Sequence, residues 1–206
     1  MVPEIPFVNY TEGWRPFPRD RSRTRIEYLA QRRNSAVRMA LERYPETSHI
    51  LMIDSYYLNQ PRSIIALMSR YDDPGVIQGG ATWIPRKRRL WPENAFYDAW
   101  TTPEFRELMW SKKIRSLPPI KVKAVGAVYI CPVNAWKKRG YGIPVYGCEH
   151  NYLCEGSSCF MDFSAEFWRD PFAYPMYWRL RSTAGYLLRG YFLKTKSYRK
   201  LRRQIS

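Results

Sequence analysis

The chain has 206 residues, of which 45% are hydrophobic and 16% aromatic, so it can form one sizeable core and is too apolar to be disordered. Its 34 Lys and Arg residues against 18 Asp and Glu give a formal net charge of +16, which favours a polyanionic partner such as nucleic acid, an anionic membrane or a phosphate-bearing substrate. No apolar stretch approaches the roughly 20 residues of a membrane span, and the N-terminus lacks signal-peptide features. Composition therefore predicts a soluble, cytoplasmic protein.

The four cysteines do not follow a zinc-binding pattern. Cys148, Cys154 and Cys159 fall within twelve residues, with five and four residues between them, whereas zinc sites generally use close pairs such as C-x-x-C. The fourth, Cys131, ends an apolar run. We therefore expect ordinary buried thiols, with a local disulfide as the alternative, because some intracellular hyperthermophile proteins carry disulfides.

The N-terminal part joins a Pro-containing segment to the clearest helical pattern of the chain. Residues 3–10 can form a short strand, which two prolines confine to a sheet edge or a strand start. Residues 11–23 are turn-like and rich in Arg, and they form either a solvated loop or a contact to phosphates or a base. Over residues 24–44 the apolar side chains share one helical face, which predicts a helix with Thr24 as its cap.

Arg33 lies inside the apolar stripe of this predicted helix, and Asn34 follows it directly. An arginine in such a position either extends its charged end to solvent or points its guanidinium at an anion near the sheet edge. The sequence leaves both alternatives open.

The chain is organised around an apolar run, residues 50–53, that ends abruptly on Asp54. This pattern predicts a strand buried on both faces, as in the middle of a parallel sheet. Asp54 then lies at the carboxyl end of the strand, where open α/β sheets bind ligands. The alternative is that Asp54 only caps the following turn.

The remaining segments alternate between helical and extended patterns. Pro61 is well placed to begin a helix, and residues 76–83 predict a strand whose glycines, Gly79 and Gly80, indicate close approach of a backbone or ligand. After the basic cluster 86–89 we expect a helical region at 91–110, a strand at 121–130, a helix at 132–139 and a last strand at 159–163. The order predicts an α/β fold with a mixed, mostly parallel sheet flanked by helices.

Several of these segments together resemble the glycosyltransferases of the GT-A fold, a Rossmann-like nucleotide-binding fold. In that family an Arg-Asn helix precedes an apolar strand that ends in an Asp-x-Asp motif, and a later Glu-Asp pair is often followed by Leu-Cys. The matching residues here are Arg33-Asn34, the run 50–55, the strand 76–83, the run 125–130 with Ala135-Trp136 and Gly140-Tyr141, and Glu149-His150 with Leu153-Cys154. The resemblance covers roughly residues 25–163 and is nearest to the small stand-alone transferases of archaeal viruses.

The resemblance implies a site that binds a nucleotide-sugar donor through Arg33, Asn34, Asp54, Gly79 and Gly80. It also implies that Asp54 holds a divalent cation, Mn²⁺ or Mg²⁺, at the diphosphate. Tyr56 stands at the third position of the Asp-x-Asp motif, so Asp54 is the single motif carboxylate and would share the cation with water and the diphosphate. The acceptor would be a hydroxyl of a glycan, a protein or a lipid-linked molecule.

Sugar transfer with inversion needs a base that deprotonates the acceptor hydroxyl. Glu149, which follows a glycine and a cysteine at a predicted helix start, is the first candidate, and His150 is the second. His150 can alternatively be a metal ligand or a surface residue, and Glu149 can be a helix cap.

The C-terminal tail, residues 171–206, carries Lys and Arg among aromatic and aliphatic residues and has no acidic residue. We divide the chain into a catalytic domain over 1–170 and this basic amphipathic tail. The tail predicts peripheral attachment to the inner face of a membrane or contact with the acceptor, and the alternative is a helix packed on the domain. The tail residues predicted to make that contact are Arg189, Lys194, Lys196, Arg199, Lys200, Arg202 and Arg203.

A non-catalytic, basic nucleic-acid-binding protein is the alternative function. It explains the positive charge and the tail, but it leaves the strand-end Asp54 and the later Glu149 without a purpose. No helix-turn-helix, zinc-finger or RNA-binding signature is visible in the sequence. Nucleic acid is therefore the less favoured partner.

Overall fold

The computed structural model describes residues 23–54, 61–71, 73, 75–84, 95–96, 102, 105, 108, 111–145 and 147–168. The short strand expected at 3–10, the Arg-rich segment, the basic cluster 86–89 and the tail 171–206 lie outside the described residues. The described elements are α1 (Arg23–Arg43), β1 (His49–Ile53), α2 (Pro61–Ser69), β2 (Ile77–Ile84), β3 (Ala95–Phe96), α3 (Lys112–Arg115), β4 (Ile120–Val122), β5 (Val128–Pro132), α4 (Val133–Arg139), α5 (Glu149–Cys154) and β6 (Cys159–Trp168).

The described strands form one mixed sheet in the order β1-β5-β2-β6-β4, with the short β3 paired to β2. The α/β fold is confirmed, but the expectation of a mostly parallel sheet is wrong, because only the β2–β6 pairing among the described strands is parallel. β1 and β2 do point the same way, as a strand-helix-strand unit should. However, β5 inserts between them and pairs antiparallel with both.

The helices cover both faces of the sheet. α1 and α5 contribute to the larger core cluster, with Ala30 and Val37 from α1 and Leu153 from α5. α2 contributes Leu67 to a smaller cluster on the other face. Arg33 shares the helical face of Ala30 and Val37 and is therefore directed inward by the same periodicity that buries them.

β1 lies at one end of the described sheet order, which corrects the expectation that it runs through the middle of a parallel sheet. Its side chains pack on both faces, Ile50 and Met52 toward the larger core and Leu51 toward the smaller one. Ile53 is nevertheless 40% exposed. The apolar run thus predicted side-chain packing on both faces, but residues 49–52 are only half-buried, so the expectation of a fully buried strand is wrong. The run also carried no information on how many strands flank β1.

The strand predicted at 121–130 is two separate strands. β4 pairs antiparallel with β6, whereas β5 pairs with β1 and β2, so the two pieces lie in different parts of the sheet. Ala127, in the link between them, has a φ of 59°, which an extended strand does not allow. Tertiary packing thus breaks a segment whose composition favours one continuous strand.

Two further boundaries differ from the sequence-based prediction. Ala95 and Phe96, inside the expected helical region 91–110, form a strand on β2, where the Phe96 ring packs edge-on against Trp83. The last strand extends to Trp168 and carries a bulge that places Asp162 opposite Gly80 and Glu166 opposite the next residue of β2. In the part of the chain that the structure describes, no helix is both long and apolar enough to cross a bilayer.

Candidate active site

The guanidinium of Arg33 joins two carboxylates that come from separate elements. Its Nη1 lies 2.7 Å from Oδ1 of Asp54, directly after β1, and its Nε lies 3.0 Å from Oε1 of Glu149, the first residue of α5. Arg33 and Glu149 are 116 positions apart in the chain. The fold therefore brings together three of the residues that the sequence singled out.

Local backbone structure holds the two carboxylates in place. The N–H of Asp54 donates to the carbonyl of Ala127 at 2.8 Å, which extends the β1–β5 ladder by one residue. At the start of α5, the N–H of Cys148 donates to the Asn151 side chain at 2.9 Å, and the N–H of Asn151 donates back to the Cys148 carbonyl at 2.9 Å. Glu149 thus sits on a capped helix start, as expected from its sequence context.

His150 is packed between two tyrosines beside Glu149. Its ring contacts Tyr129 edge-on at 5.5 Å and Tyr141 edge-on at 5.9 Å between centroids. Its Nε2 lies 3.5 Å from Oε1 of Glu149, which is long for a hydrogen bond. The hydroxyls of Tyr129 and Tyr141 contact each other.

Asn34 is hydrogen-bonded to the segment that carries Tyr141. Its side-chain amide donates to the carbonyl of Tyr141 at 2.9 Å, and its Oδ1 accepts from the N–H of Tyr141 at 2.9 Å and from the indole of Trp136 at 3.2 Å. The Tyr141 ring in turn lies 6.0 Å from the Arg33 guanidinium. Asn34 therefore anchors the segment after α4, and a contact between Asn34 and a donor stays a prediction.

The cluster is buried and carries unpaired atoms. Asp54, Glu149 and His150 are 9%, 2% and 5% exposed, and the Arg33 side chain is 15% exposed. Within the described part of the chain, Oε2 of Glu149 and Nδ1 of His150 are enclosed without a hydrogen-bond partner. Enclosed polar atoms of this kind cost stability, so each calls for a functional or structural explanation.

Electrostatics make the imidazole neutral and keep both carboxylates paired. Burial, together with the charge of Arg33, lowers the pKa of His150 to about 4. Burial by itself raises the pKa of Glu149, but His150 and the Arg33 guanidinium outweigh it, so that pKa lies below its ordinary value. Counted by themselves, the three side chains Arg33, Asp54 and Glu149 carry one net negative charge.

Tyr129 and Tyr141 remain neutral phenols. Burial raises the pKa of Tyr129 well above its usual range, and the neighbouring Tyr141 raises it further. Burial likewise raises the pKa of Tyr141, against the lowering effect of Arg33. Both residues were missed by the sequence reasoning, although a phenol at position 129, inside an otherwise apolar run, was a usable signal.

The glycines of β2 do not face this cluster as ligand contacts. A Cβ added to Gly79 would lie 2.7 Å from Cβ of Val125, and one added to Gly80 would lie 2.6 Å from Cδ2 of the Phe167 ring. The close approach expected at these glycines is therefore real, but in the structure core side chains make it. A nucleotide-sugar contact by either glycine finds no support in this packing.

The cysteines are free thiols, and all four are buried. Burial raises the pKa of Cys131 to about 12, so this thiol is protonated and unreactive. The expectation of ordinary buried thiols is confirmed, and the alternative of a local disulfide is not. Among the residues that the structure describes, no group of three or more His, Cys, Asp or Glu side chains is placed to hold a metal ion.

No family model, curated protein or solved structure that was compared with the chain matches it. The residues themselves therefore carry the functional argument.

Proposed function

We propose that this protein is a glycosyltransferase that moves a sugar from a nucleotide-sugar donor to an acceptor hydroxyl. One observation carries the proposal: Arg33 binds both Asp54 and Glu149, so three separated parts of the pattern that resembles the GT-A family meet at one buried point. The position of Asp54 at the carboxyl end of β1 also supports it, since α/β sheets bind ligands at that edge.

A purely structural role explains this cluster less well. Buried ion pairs are often no more stabilising than apolar residues of similar size, and here the enclosed Oε2 of Glu149 and Nδ1 of His150 add a further cost. Charged groups that are kept in this way cluster at functional sites, where their perturbed pKa values serve the chemistry. The favoured role for Glu149 is therefore that of a base.

In the proposed reaction, Glu149 accepts the proton of the acceptor hydroxyl. The acceptor oxygen forms a bond to the anomeric carbon of the donor sugar, the bond from that carbon to the diphosphate oxygen breaks, and its electron pair leaves with the diphosphate. At neutral pH both His150, with a pKa of about 4, and Glu149, whose pKa lies below its ordinary value, are weak bases, so we assign the proton transfer to Glu149 from its place in the GT-A-like pattern and not from its basicity.

The carboxylates of this cluster can attract a divalent cation, but the cluster offers few protein side chains to coordinate one. Asp54 is the residue that would hold Mn²⁺ or Mg²⁺ together with water and the diphosphate. Such a cation neutralises the charge that develops on the leaving diphosphate. Arg33 lies 2.7 Å from the same carboxylate, so the cation and the guanidinium would compete for Asp54.

Calorimetric titration with a panel of nucleoside diphosphates, with and without Mn²⁺, tests this proposal. Asp54→Asn leaves Arg33 paired with Glu149, so the variant should fold, yet it should weaken Mn²⁺-dependent binding by about 1.5–3 kcal/mol, the scale of a hydrogen bond to a charged group. Asp73→Asn, at an exposed turn, is the matched control and should bind like the wild type.

Equal affinity of the wild type and Asp54→Asn would refute the role of Asp54. If no nucleoside diphosphate binds the wild type, the donor class is wrong. Salt-dependent binding of oligonucleotides by the same preparation would then favour the nucleic-acid-binding alternative.

A further inference from the structure

The two carboxylate oxygens of Glu149 have different surroundings. Oε1 accepts from Nε of Arg33 at 3.0 Å and lies 3.5 Å from Nε2 of His150. Oε2 has no hydrogen-bond partner among the described residues. One oxygen is thus tethered, and the other is enclosed without a hydrogen-bond partner among the described residues.

We propose that Arg33 is a positioning residue that tethers Oε1 of Glu149 and so fixes this carboxylate relative to Asp54. This inference rests on the proposed function and replaces the expectation that Arg33 binds the donor diphosphate. In the proton transfer, the acceptor O–H bond breaks, the new O–H bond forms at the Glu149 carboxylate, and the acceptor oxygen keeps the electron pair for its attack on the sugar.

The geometry suits an arginine and not a lysine. Nε and Nη1 of one planar guanidinium serve two carboxylates at once, which fixes the distance and angle between β1 and the start of α5. Among the described residues, the charged or titratable groups around the guanidinium are Asp54 on the strand end, Glu149 and His150 on α5, Tyr129 on β5 and Tyr141 after α4. With two carboxylates already bound, the guanidinium has little remaining attraction for a diphosphate.

Arg33→Lys tests the tether because it keeps the charge and loses the planar pair of donors. We expect the kcat of sugar transfer to fall by about a hundredfold, the scale of a small displacement of a reacting group. The KM for the donor and the Kd for the nucleoside diphosphate should stay within twofold. Arg38→Lys, on an exposed part of α1, is the matched control and should change neither.

A second variant tests the contact between Arg33 and Glu149 without an activity assay. Arg33→Gln combined with Asp54→Asn removes one positive and one negative charge, so the net charge of the cluster is unchanged. The pKa of Glu149, followed by ¹³C NMR of its carboxyl carbon and assigned with Glu149→Gln, should rise by about 1–3 pH units, because the guanidinium no longer favours the carboxylate.

The two measurements separate the possible failures. Weaker nucleoside diphosphate binding in Arg33→Lys by tenfold or more, with kcat unchanged, would overturn the positioning role and restore Arg33 as a donor ligand. An unchanged pKa of Glu149 in the double variant would overturn the tether itself. If the wild type binds no nucleoside diphosphate, the proposed function fails, while the NMR titration still decides whether Arg33 tethers Glu149.

Discussion

Replacing Arg33 with alanine should destabilise this protein more than any other single loss of charge in the cluster. The change removes the guanidinium that Asp54 and Glu149 share, which takes one positive charge out of a cluster whose carboxylates are 9% and 2% exposed. Breaking a buried pair costs about 3–5 kcal/mol. Out of a total stability of about 5–15 kcal/mol, that is a large fraction.

The pH dependence of this loss has a definite sign. Burial raises the pKa of Glu149 while the Arg33 guanidinium lowers it, so removal of the guanidinium raises that pKa relative to the wild type. The stability that the guanidinium gives through Glu149 is fully present above both folded-state pKa values and is lost as the pH falls through them. The difference between wild type and Arg33→Ala should therefore be larger at pH 7.5 than at pH 5.

Urea unfolding of wild type, Arg33→Ala and Arg33→Ala/Glu149→Gln at both pH values measures the effect. The double variant should regain part of the lost stability, since it also removes the buried charge of Glu149 that the guanidinium compensates in the wild type. Arg139→Ala is the matched control: it removes an arginine whose ion pair with Glu155 is 34% and 63% exposed, which should cost at most about 1 kcal/mol. If Arg33→Ala costs no more than Arg139→Ala, the reasoning about the buried cluster is wrong.

Three further predictions concern His150, the glycines of β2 and the tail. Because the folded protein holds the pKa of His150 at about 4 and the unfolded chain near 6.5, stability should fall by roughly 3 kcal/mol as the pH drops through that window, and His150→Gln should remove the effect in urea titrations. Gly80→Ala should cost about 1–3 kcal/mol by thermal unfolding, because the new methyl meets Phe167, whereas Gly75→Ala at an exposed turn should be nearly neutral. Removal of 171–206 should abolish co-sedimentation with anionic liposomes at low salt, because each cation near such a surface contributes about 1 kcal/mol, and equal binding by both forms would exclude this role of the tail.

Local patterns were sufficient for most helices and for the start of the candidate site. The 3.6-residue period over 24–44 predicted α1 to within one residue at each end and placed Arg33 on its buried face. The apolar run 50–53 predicted β1 and the strand-end position of Asp54. The helix start at Glu149 was also predicted, because these features depend on residues a few positions apart, whereas the cap itself is formed by Cys148 and Asn151.

Strand neighbours could not be read in the same way. The run 121–130 has the composition of one strand, yet the backbone conformation at Ala127 divides it into β4 and β5, which pair with different partners. The direction of pairing was not predictable either, because β5, which follows β4 in the chain, lies between β1 and β2 in the sheet. Pairing depends on contacts between residues far apart in sequence, which no local period encodes.

The sequence by itself therefore determined an α/β protein in which Arg33, Asp54 and Glu149 are candidate site residues. Only the tertiary structure decided that one guanidinium holds both carboxylates, that His150 lies between Tyr129 and Tyr141, and that Gly79 and Gly80 serve packing. The physical reason is that side-chain periodicity reports which face of an element is buried, whereas charge pairing and close packing depend on which other element covers that face.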